Sequence, residues 1–208
     1  EQSALFFNNV VNENTTSSRQ FIIHEVMGRN CGWLTAKSAD VYRQMLKKKE
    51  FLPEILVNKK RWDIHAVFVP EMEINMESEM NRLREIMDKH DCVNIFLSEG
   101  AGLDFIISDM EKNGEQINRD AFGHVRLDEI NPGKWFAEKF ANAIGAEKVL
   151  VQKSGYFARS AASNPEDLDL IFKSVDFAVD SALHQNSGVA GLDDDLSSTM
   201  SCIDFKRI

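Results

Sequence analysis

The chain is poor in cysteine. Its 208 residues include three, Cys31, Cys92 and Cys202, and no two of them form a Cys-x-x-Cys pair. Closely spaced cysteine pairs are typical of structural zinc sites, and dense disulfide frameworks are typical of small secreted domains. We therefore predict three reduced thiols in an intracellular, cytoplasmic protein.

The chain also lacks long apolar runs and an excess of positive charge. No run is long enough to span a bilayer, and the N-terminus has no basic segment followed by an apolar one, so no signal peptide is visible. The formal net charge is -9, which argues against general binding of nucleic acid or of a membrane surface. An anionic ligand would need a local basic pocket.

Patterns typical of metal sites and catalytic triads are missing as well. The five histidines have no metal-ligand spacing, and no Ser-His-Asp arrangement can be assembled. The histidines are His24, His65, His90, His124 and His184. We predict that His24 and His65, in apolar segments, are hydrogen-bonded core residues. Residues 193–195 are three aspartates without the spaced ligands of an EF-hand, so we predict that they are solvated and belong to a turn-rich acidic loop over residues 188–195.

What the chain does contain is an alternation of strand-like and helix-like segments. Apolar runs predict strands over residues 20–27, 64–69, 92–97 and 148–152, with a possible last strand over 200–205. Helical spacing of apolar residues predicts helices over 3–12, 33–49, 75–90, 103–110, 131–144 and 164–182, the last with an inward stripe. The stripe comprises Leu168, Ile171, Val175, Val179 and Ala182. Such alternation is typical of an α/β fold with a mostly parallel sheet and helices on both faces.

Polar residues follow three of the predicted strands, at the edge where ligands bind in such sheets. Arg29 follows the first strand and fits two roles, phosphate binding or pairing with a surface carboxylate. Glu99 follows the third and fits either a sugar hydroxyl or the cap of the next helix. Residues 153–159 combine two cations, a phenol and a serine hydroxyl, which favours an anionic ligand over a bare surface loop.

Three motifs, taken together, resemble those of pyrophosphate-dependent phosphofructokinases. They are Glu25-Val26-Met27-Gly28-Arg29, then Ser98-Glu99-Gly100-Ala101-Gly102, then Gln152-Lys153-Ser154-Gly155-Tyr156-Phe157-Ala158-Arg159-Ser160. Residues 123–125 and 131–136 are also similar to this class. ATP-using bacterial relatives carry an Arg-Gly-Gly pattern in place of the third motif. The resemblance runs from about residue 5 to the end of the chain.

The resemblance implies a Rossmann-like, three-layer phosphofructokinase architecture with a fructose 6-phosphate site. It assigns Met27, Gly28 and Arg29 to contacts with the sugar phosphate and Glu99 to the sugar hydroxyls. It also implies that Tyr156 and Arg159 bind the 6-phosphate and that Lys153 faces the transferred phosphoryl group.

One departure from the family bears on activity. Phosphofructokinases carry a glycine-rich phosphoryl-donor loop and a Thr-Ile-Asp-x-Asp-like segment upstream of the Met-Gly-Arg motif, and neither is present here. We therefore expect residues 1–208 to be a partial phosphofructokinase domain, the C-terminal half, without catalytic residues or Mg²⁺ ligands of its own. The intact glycolytic enzyme, a homo-oligomer by resemblance, would convert fructose 6-phosphate and pyrophosphate reversibly to fructose 1,6-bisphosphate and phosphate. The chain alone should be inactive.

Two alternatives stay open at this point. The chain could be a non-catalytic regulatory subunit that binds sugar phosphate, or an interaction module that keeps the fold with an idle pocket. Upstream glycine-rich and aspartate-bearing segments in the complete gene would favour a part of an enzyme over either alternative.

Overall fold

The computed structural model describes residues 1–52, 54, 57–121, 123 and 125–208. These residues form two compact units, Glu1–Ser160 and Ala161–Ile208, and each is considered by itself below. The expectation that all 208 residues are part of one phosphofructokinase domain remains a prediction.

The first unit is built on a four-stranded parallel sheet with the order β2-β3-β1-β4. The strands are β1 (Gln20–Val26), β2 (Ala66–Phe68), β3 (Cys92–Ser98) and β4 (Lys148–Lys153). The prediction of a mostly parallel sheet is confirmed, although β2 is shorter than residues 64–69. β1 is central and pairs with β3 on one side and β4 on the other.

Helices cover both faces of this sheet, as predicted. The helices of the first unit are α1 (Gln2–Val10), α2 (Trp33–Lys47), α3 (Met76–His90), α4 (Leu103–Lys112), α5 (Leu127–Ile130), α6 (Pro132–Ile144) and α7 (Gly155–Arg159). The short helices α5 and α7 were not predicted. A 3-10 turn over Val11–Thr15 also replaces part of the loop expected before β1.

The two hydrophobic cores lie on opposite faces of β1. Phe21 and Ile23 belong to the core that includes residues of α3, α4 and α6. Ile22 and Val26 belong to the core that includes residues of α1 and α2. All seven residues of β1 are buried, including the polar Gln20, His24 and Glu25, because helices cover both faces of the strand.

The ends of α3 and α6 illustrate how polar residues and glycine terminate helices in this unit. The Asn75 side chain accepts a hydrogen bond from the Ser78 N–H at 3.0 Å and so caps α3. Gly145 ends α6 with a left-handed φ of 67°. Asn131 followed by Pro132 is a pattern typical of the start of a helix, but Asn131 takes a left-handed conformation and its side chain makes no capping bond to α6. It also ends α5, and this second role sets its backbone.

The second unit consists of a helix and a hairpin. α8 spans Pro165–Leu183, with the Asn164 side chain accepting from the Asp167 N–H at 2.8 Å. β5 (Val189–Asp193) and β6 (Thr199–Ile203) pair antiparallel. β5 occupies part of the loop expected over residues 188–195, so that expectation is wrong.

Two side-chain predictions for this unit are also wrong. Asp193 is buried and accepts two hydrogen bonds of 2.7 Å from Arg207, which hold the pKa of its carboxyl down at about 2, so it is not part of a solvated loop. The predicted inward stripe of α8 stays exposed within this unit, since Leu168, Ile171, Val175 and Val179 are all 43–55% exposed and Ala182 is exposed. Five-residue strands extend about 17 Å and cannot cover a 19-residue helix of about 28 Å.

The three cysteines are free thiols, as predicted. Cys92 is buried, and burial raises the pKa of its thiol to about 12. In the part of the chain that the structure describes, no helix is long and apolar enough to cross a bilayer.

The two histidines predicted to lie in the core differ. The Nδ1 atom of His65 accepts from the Asn94 N–H at 2.9 Å, and its Nε2 atom lies 3.2 Å from the Lys60 carbonyl oxygen, so His65 is hydrogen-bonded as predicted, although it is only partly buried. His24 is fully buried and contacts the rings of Phe7 and Phe96, and neither ring nitrogen meets a hydrogen-bond partner among the described residues. The prediction of a hydrogen-bonded His24 is wrong, because aromatic rings fill the space around the imidazole.

The buried imidazole of His24 predicts a loss of stability in mild acid. Burial lowers its pKa from 6.5 to about 3, so below pH 6.5 the unfolded chain takes up a proton that the folded chain does not. His24 should therefore lower the free energy of unfolding by up to about 1.4 kcal/mol per pH unit as pH falls from 6.5 towards 3. Urea unfolding at pH 7.5 and pH 5 should show a smaller loss for His24→Phe than for the wild type. The exposed His184→Phe variant should lose as much as the wild type, and equal losses for all three proteins would contradict the prediction.

Candidate functional site

The three polar segments singled out in the sequence meet at one edge of the sheet. The parallel register places Val26 opposite Ser98 and Glu25 opposite Lys153, so the chain leaves β3, β1 and β4 at the same level. The segments enclose a cavity of about 400 Å³. Its lining residues are Glu25, Val26, Met27, Arg29, Glu99, Leu127, Lys153, Gly155, Tyr156 and Arg159. Every predicted site residue except Gly28 is in this set.

Gly28 contributes through its backbone, where the segments after β1 and β3 touch. Its carbonyl oxygen accepts from the Ser98 hydroxyl at 2.6 Å and from the Gly100 N–H at 3.2 Å. A Cβ on Gly100 would lie 1.7 Å from the carbonyl oxygen of Arg29. Glycine at position 100 is therefore required for this approach.

The same contact fixes Glu99. The Gly28 N–H donates to Glu99 Oε1 at 3.2 Å, and the capping position of α4 is occupied by Gly102 without a side-chain bond. The sequence left two roles open for Glu99, and the structure excludes one of them, since Glu99 does not cap α4. Its carboxylate lines the cavity, and Oε2 makes no hydrogen bond to the described residues.

Arg29 likewise loses one of its two alternatives. Its Nη1 atom donates to the Val125 carbonyl oxygen at 2.9 Å. Within the described ranges, no carboxylate lies within ion-pair distance of its guanidinium. Arg29 is therefore not the partner of a surface acid, and its remaining donors border the cavity.

The segment after β4 is a short helix, α7, rather than the expected loop. Tyr156 and Arg159 are three residues apart and so project from neighbouring positions of one turn. Tyr156 is 86% exposed. The guanidinium carbon of Arg159 lies 6.0 Å from the centre of the Tyr156 ring, and its Nε contacts Met27 Sδ at 2.7 Å. Since a thioether is a weak acceptor, the guanidinium keeps most of its hydrogen-bonding capacity for a ligand.

Four lining residues were not predicted as site residues, namely Glu25, Val26, Leu127 and Gly155. Glu25 is 6% exposed and lies at the end of β1, with Oε1 at 3.0 Å from Lys153 Nζ. The signal was present in the sequence, because a glutamate next to a run of apolar strand residues needs a partner when it is buried. Leu127 reaches the cavity from the unpredicted helix α5. His124, part of a motif used for the resemblance, lies outside the described residues.

The cavity combines three cations with two carboxylates. Arg29 and Arg159 have no carboxylate partner among the described residues, whereas Lys153 is paired with Glu25. Uncompensated guanidiniums suit a phosphate dianion, and a fixed carboxylate suits hydroxyl groups. Over the described residues, no cluster of three His, Cys, Asp or Glu side chains could hold a metal ion.

Solved structures share this architecture. A pyrophosphate-dependent phosphofructokinase from Nitrosospira multiformis aligns with a TM-score of 0.57 at 17% identity, over 99% of this chain and 44% of that one. The T-state phosphofructokinase of Pichia pastoris aligns with a TM-score of 0.55 at 19% identity, over 99% of this chain and 18% of that one. The chain therefore has a phosphofructokinase fold, as the motifs implied.

Sequence comparison is more specific. No protein-family model matches the chain. Over all 208 residues it is 56% identical to the pyrophosphate–fructose 6-phosphate 1-phosphotransferase of Methylomonas methanica and 52% identical to that of Mastigamoeba balamuthi, in each case over 51% of the relative. The chain thus spans about half the length of the curated relatives it matches. The predicted resemblance to the pyrophosphate-dependent class is confirmed.

The close approach at Gly100 predicts a sensitive position. Gly100→Ala should lower the free energy of unfolding by about 1–3 kcal/mol, because the added methyl group overlaps the Arg29 carbonyl and the two segments must separate. Urea unfolding measures this change. Gly191→Ala is the control, since its Cβ would have its nearest neighbour at 3.7 Å, and it should be close to neutral. If the two variants were equally stable, the segments after β1 and β3 could move apart without a loss of free energy of unfolding, and the prediction would be wrong.

Proposed function

We propose that this chain is part of a pyrophosphate-dependent 6-phosphofructokinase and supplies its fructose 6-phosphate pocket. The whole enzyme transfers a phosphoryl group from pyrophosphate to the 1-hydroxyl of fructose 6-phosphate, reversibly, giving fructose 1,6-bisphosphate and phosphate. The observation that carries the proposal is the convergence of two uncompensated guanidiniums, Arg29 and Arg159, in one cavity with the fixed carboxylate of Glu99.

Each lining group has a defined part in this proposal. The guanidiniums of Arg29 and Arg159 bind the 6-phosphate dianion, for which planar forked donors are well suited. The exposed Tyr156 hydroxyl donates to the same phosphate. Glu99 Oε2 accepts from a sugar hydroxyl, while Met27 and Gly28 set the backbone against which the sugar lies.

The groups that bind pyrophosphate and activate the 1-hydroxyl belong, in this proposal, to a part of the enzyme beyond this chain. Phosphoryl transfer depends on positioning both substrates and on neutralising charge with Mg²⁺. The described residues offer no set of ligands that fits Mg²⁺, so no step assigned to this chain involves the metal. We extend the proposal, by similarity to the family, to a cytoplasmic homo-oligomer.

Binding of fructose 6-phosphate tests the pocket directly. Isothermal titration calorimetry should show that the wild-type chain binds the ligand and that Arg159→Ala binds it at least tenfold more weakly, because hydrogen bonds from a charged donor are lost. Arg82→Ala, which removes an exposed arginine paired with Glu79 on α3, should bind as the wild type does. A folded wild-type chain that does not bind would contradict the proposal and favour an interaction module with an idle pocket.

Turnover tests the assignment of the donor site to another part of the enzyme. A coupled assay with fructose 6-phosphate, pyrophosphate and Mg²⁺ should detect no fructose 1,6-bisphosphate with the purified 208-residue chain. Turnover by a preparation shown to be free of full-length enzyme would overturn that assignment.

A further inference from the structure

The carboxylate of Glu25 is held by two other elements of the first unit. Glu25 lies near the end of the central strand β1 and is 6% exposed. Its Oε2 atom accepts from the Gly133 N–H in the first turn of α6 at 2.8 Å, and its Oε1 atom lies 3.0 Å from Lys153 Nζ at the end of β4. Both oxygens therefore have partners, as a buried carboxylate requires.

Position 133 shows how closely α6 approaches this carboxylate. A Cβ on Gly133 would lie 2.5 Å from Glu25 Oε2 and 2.8 Å from a methyl carbon of Val151. The absence of a side chain lets the helix start come within hydrogen-bonding distance. The carboxylate is thus fixed in place, and the orientation of the Lys153 ammonium is set by it.

This pairing divides the cations of the cavity into two kinds. The charges of Arg29 and Arg159 are not compensated by any carboxylate of the described residues. The charge of Lys153 is compensated by Glu25, yet its side chain is 45% exposed and lines the cavity. An ammonium has three donors, so Lys153 can still donate to a ligand after Glu25 has taken one.

We propose that Glu25 is a positioning residue that sets the specificity of the pocket for a phosphate ester bearing hydroxyls over a bare phosphate. Glu25 neutralises the Lys153 ammonium and fixes its position, so the phosphate binds at the guanidiniums of Arg29 and Arg159. Lys153 then donates to a hydroxyl of the sugar rather than to a phosphate. This inference rests on the proposed function, and it assigns Lys153 a neutral partner in place of the transferred phosphoryl group.

Two variants separate this role from a purely structural one. In Glu25→Gln the amide oxygen can still accept from Gly133, whereas the charge that compensates Lys153 is gone. Glu25→Gln combined with Lys153→Met removes the ion pair without changing the net charge. Inorganic phosphate and fructose 6-phosphate serve as probes, titrated into the 208-residue chain at constant ionic strength because salt screens charge.

The expected results differ for the two probes. Glu25→Gln should bind inorganic phosphate roughly five- to tenfold more tightly than the wild type, the effect of one additional unit charge near an anion in a water-like dielectric. The double variant should bind inorganic phosphate within about twofold of the wild type and fructose 6-phosphate about tenfold more weakly, since a charged donor to a hydroxyl is lost. A ratio of two affinities measured on one sample is insensitive to a partial loss of folded protein.

The outcomes that overturn the inference are distinct from those that overturn the proposed function. If the double variant keeps the wild-type preference for fructose 6-phosphate, or if Glu25→Gln leaves phosphate binding unchanged, Glu25 does not set specificity. The proposed sugar-phosphate pocket is not affected by either result. If the wild-type chain binds neither probe, or binds fructose 6-phosphate no better than inorganic phosphate, the sugar-phosphate pocket itself is wrong and the inference falls with it.

Discussion

The parallel pairing of β1 with β3 and β4 is the constraint on which the rest of the first unit depends. Parallel strands end at the same edge of the sheet, so residues far apart in sequence emerge side by side. β1 is buried on both faces, and its backbone is hydrogen-bonded on both edges. If the pairing of β1 shifted by one residue, each of its side chains would move to the opposite face of the sheet, and Arg29 would be displaced from Glu99 and Arg159. Core packing and the arrangement of the cavity are therefore set by one register.

Much of the fold could be predicted from local patterns. The long helices show apolar residues at helical spacing. β1, β3 and β4 contain short apolar runs whose length is typical of strands, and this length distinguishes them from helices. The short helices α5 and α7 have four and five residues, too few to show periodicity. β5 contains Gly191 and leads into the aspartates at 193–195, a pattern that resembles a loop until its pairing with β6 is known. The environment of His24 depends on residues of α1 and β3 that no local pattern connects to it.

The site could be predicted in outline and not in detail. Polar residues after buried strands identified Arg29, Glu99 and the 153–159 segment, and topology brings them together. Which of two roles Arg29 and Glu99 fill is decided by contacts across the fold, namely with Val125 and Gly28. Glu25 lies in the first motif, but its role could not be predicted, because its two partners, Lys153 and Gly133, lie more than 100 residues away in the sequence. Sequence comparison adds the chemical class of the relatives but does not show how these charges are compensated.

The contact between Gly100 and the Arg29 backbone has a consequence for the size of ligand that fits the cavity. The segments that carry Arg29 and Glu99 are joined by hydrogen bonds from Ser98 and Gly100 to Gly28, without space for a side chain between them. The backbone positions that carry the Arg29 guanidinium and the Glu99 carboxylate are therefore held at a fixed distance from each other. In the proposed pocket, a ligand fits when the distance between its phosphate and its hydroxyl groups matches that spacing.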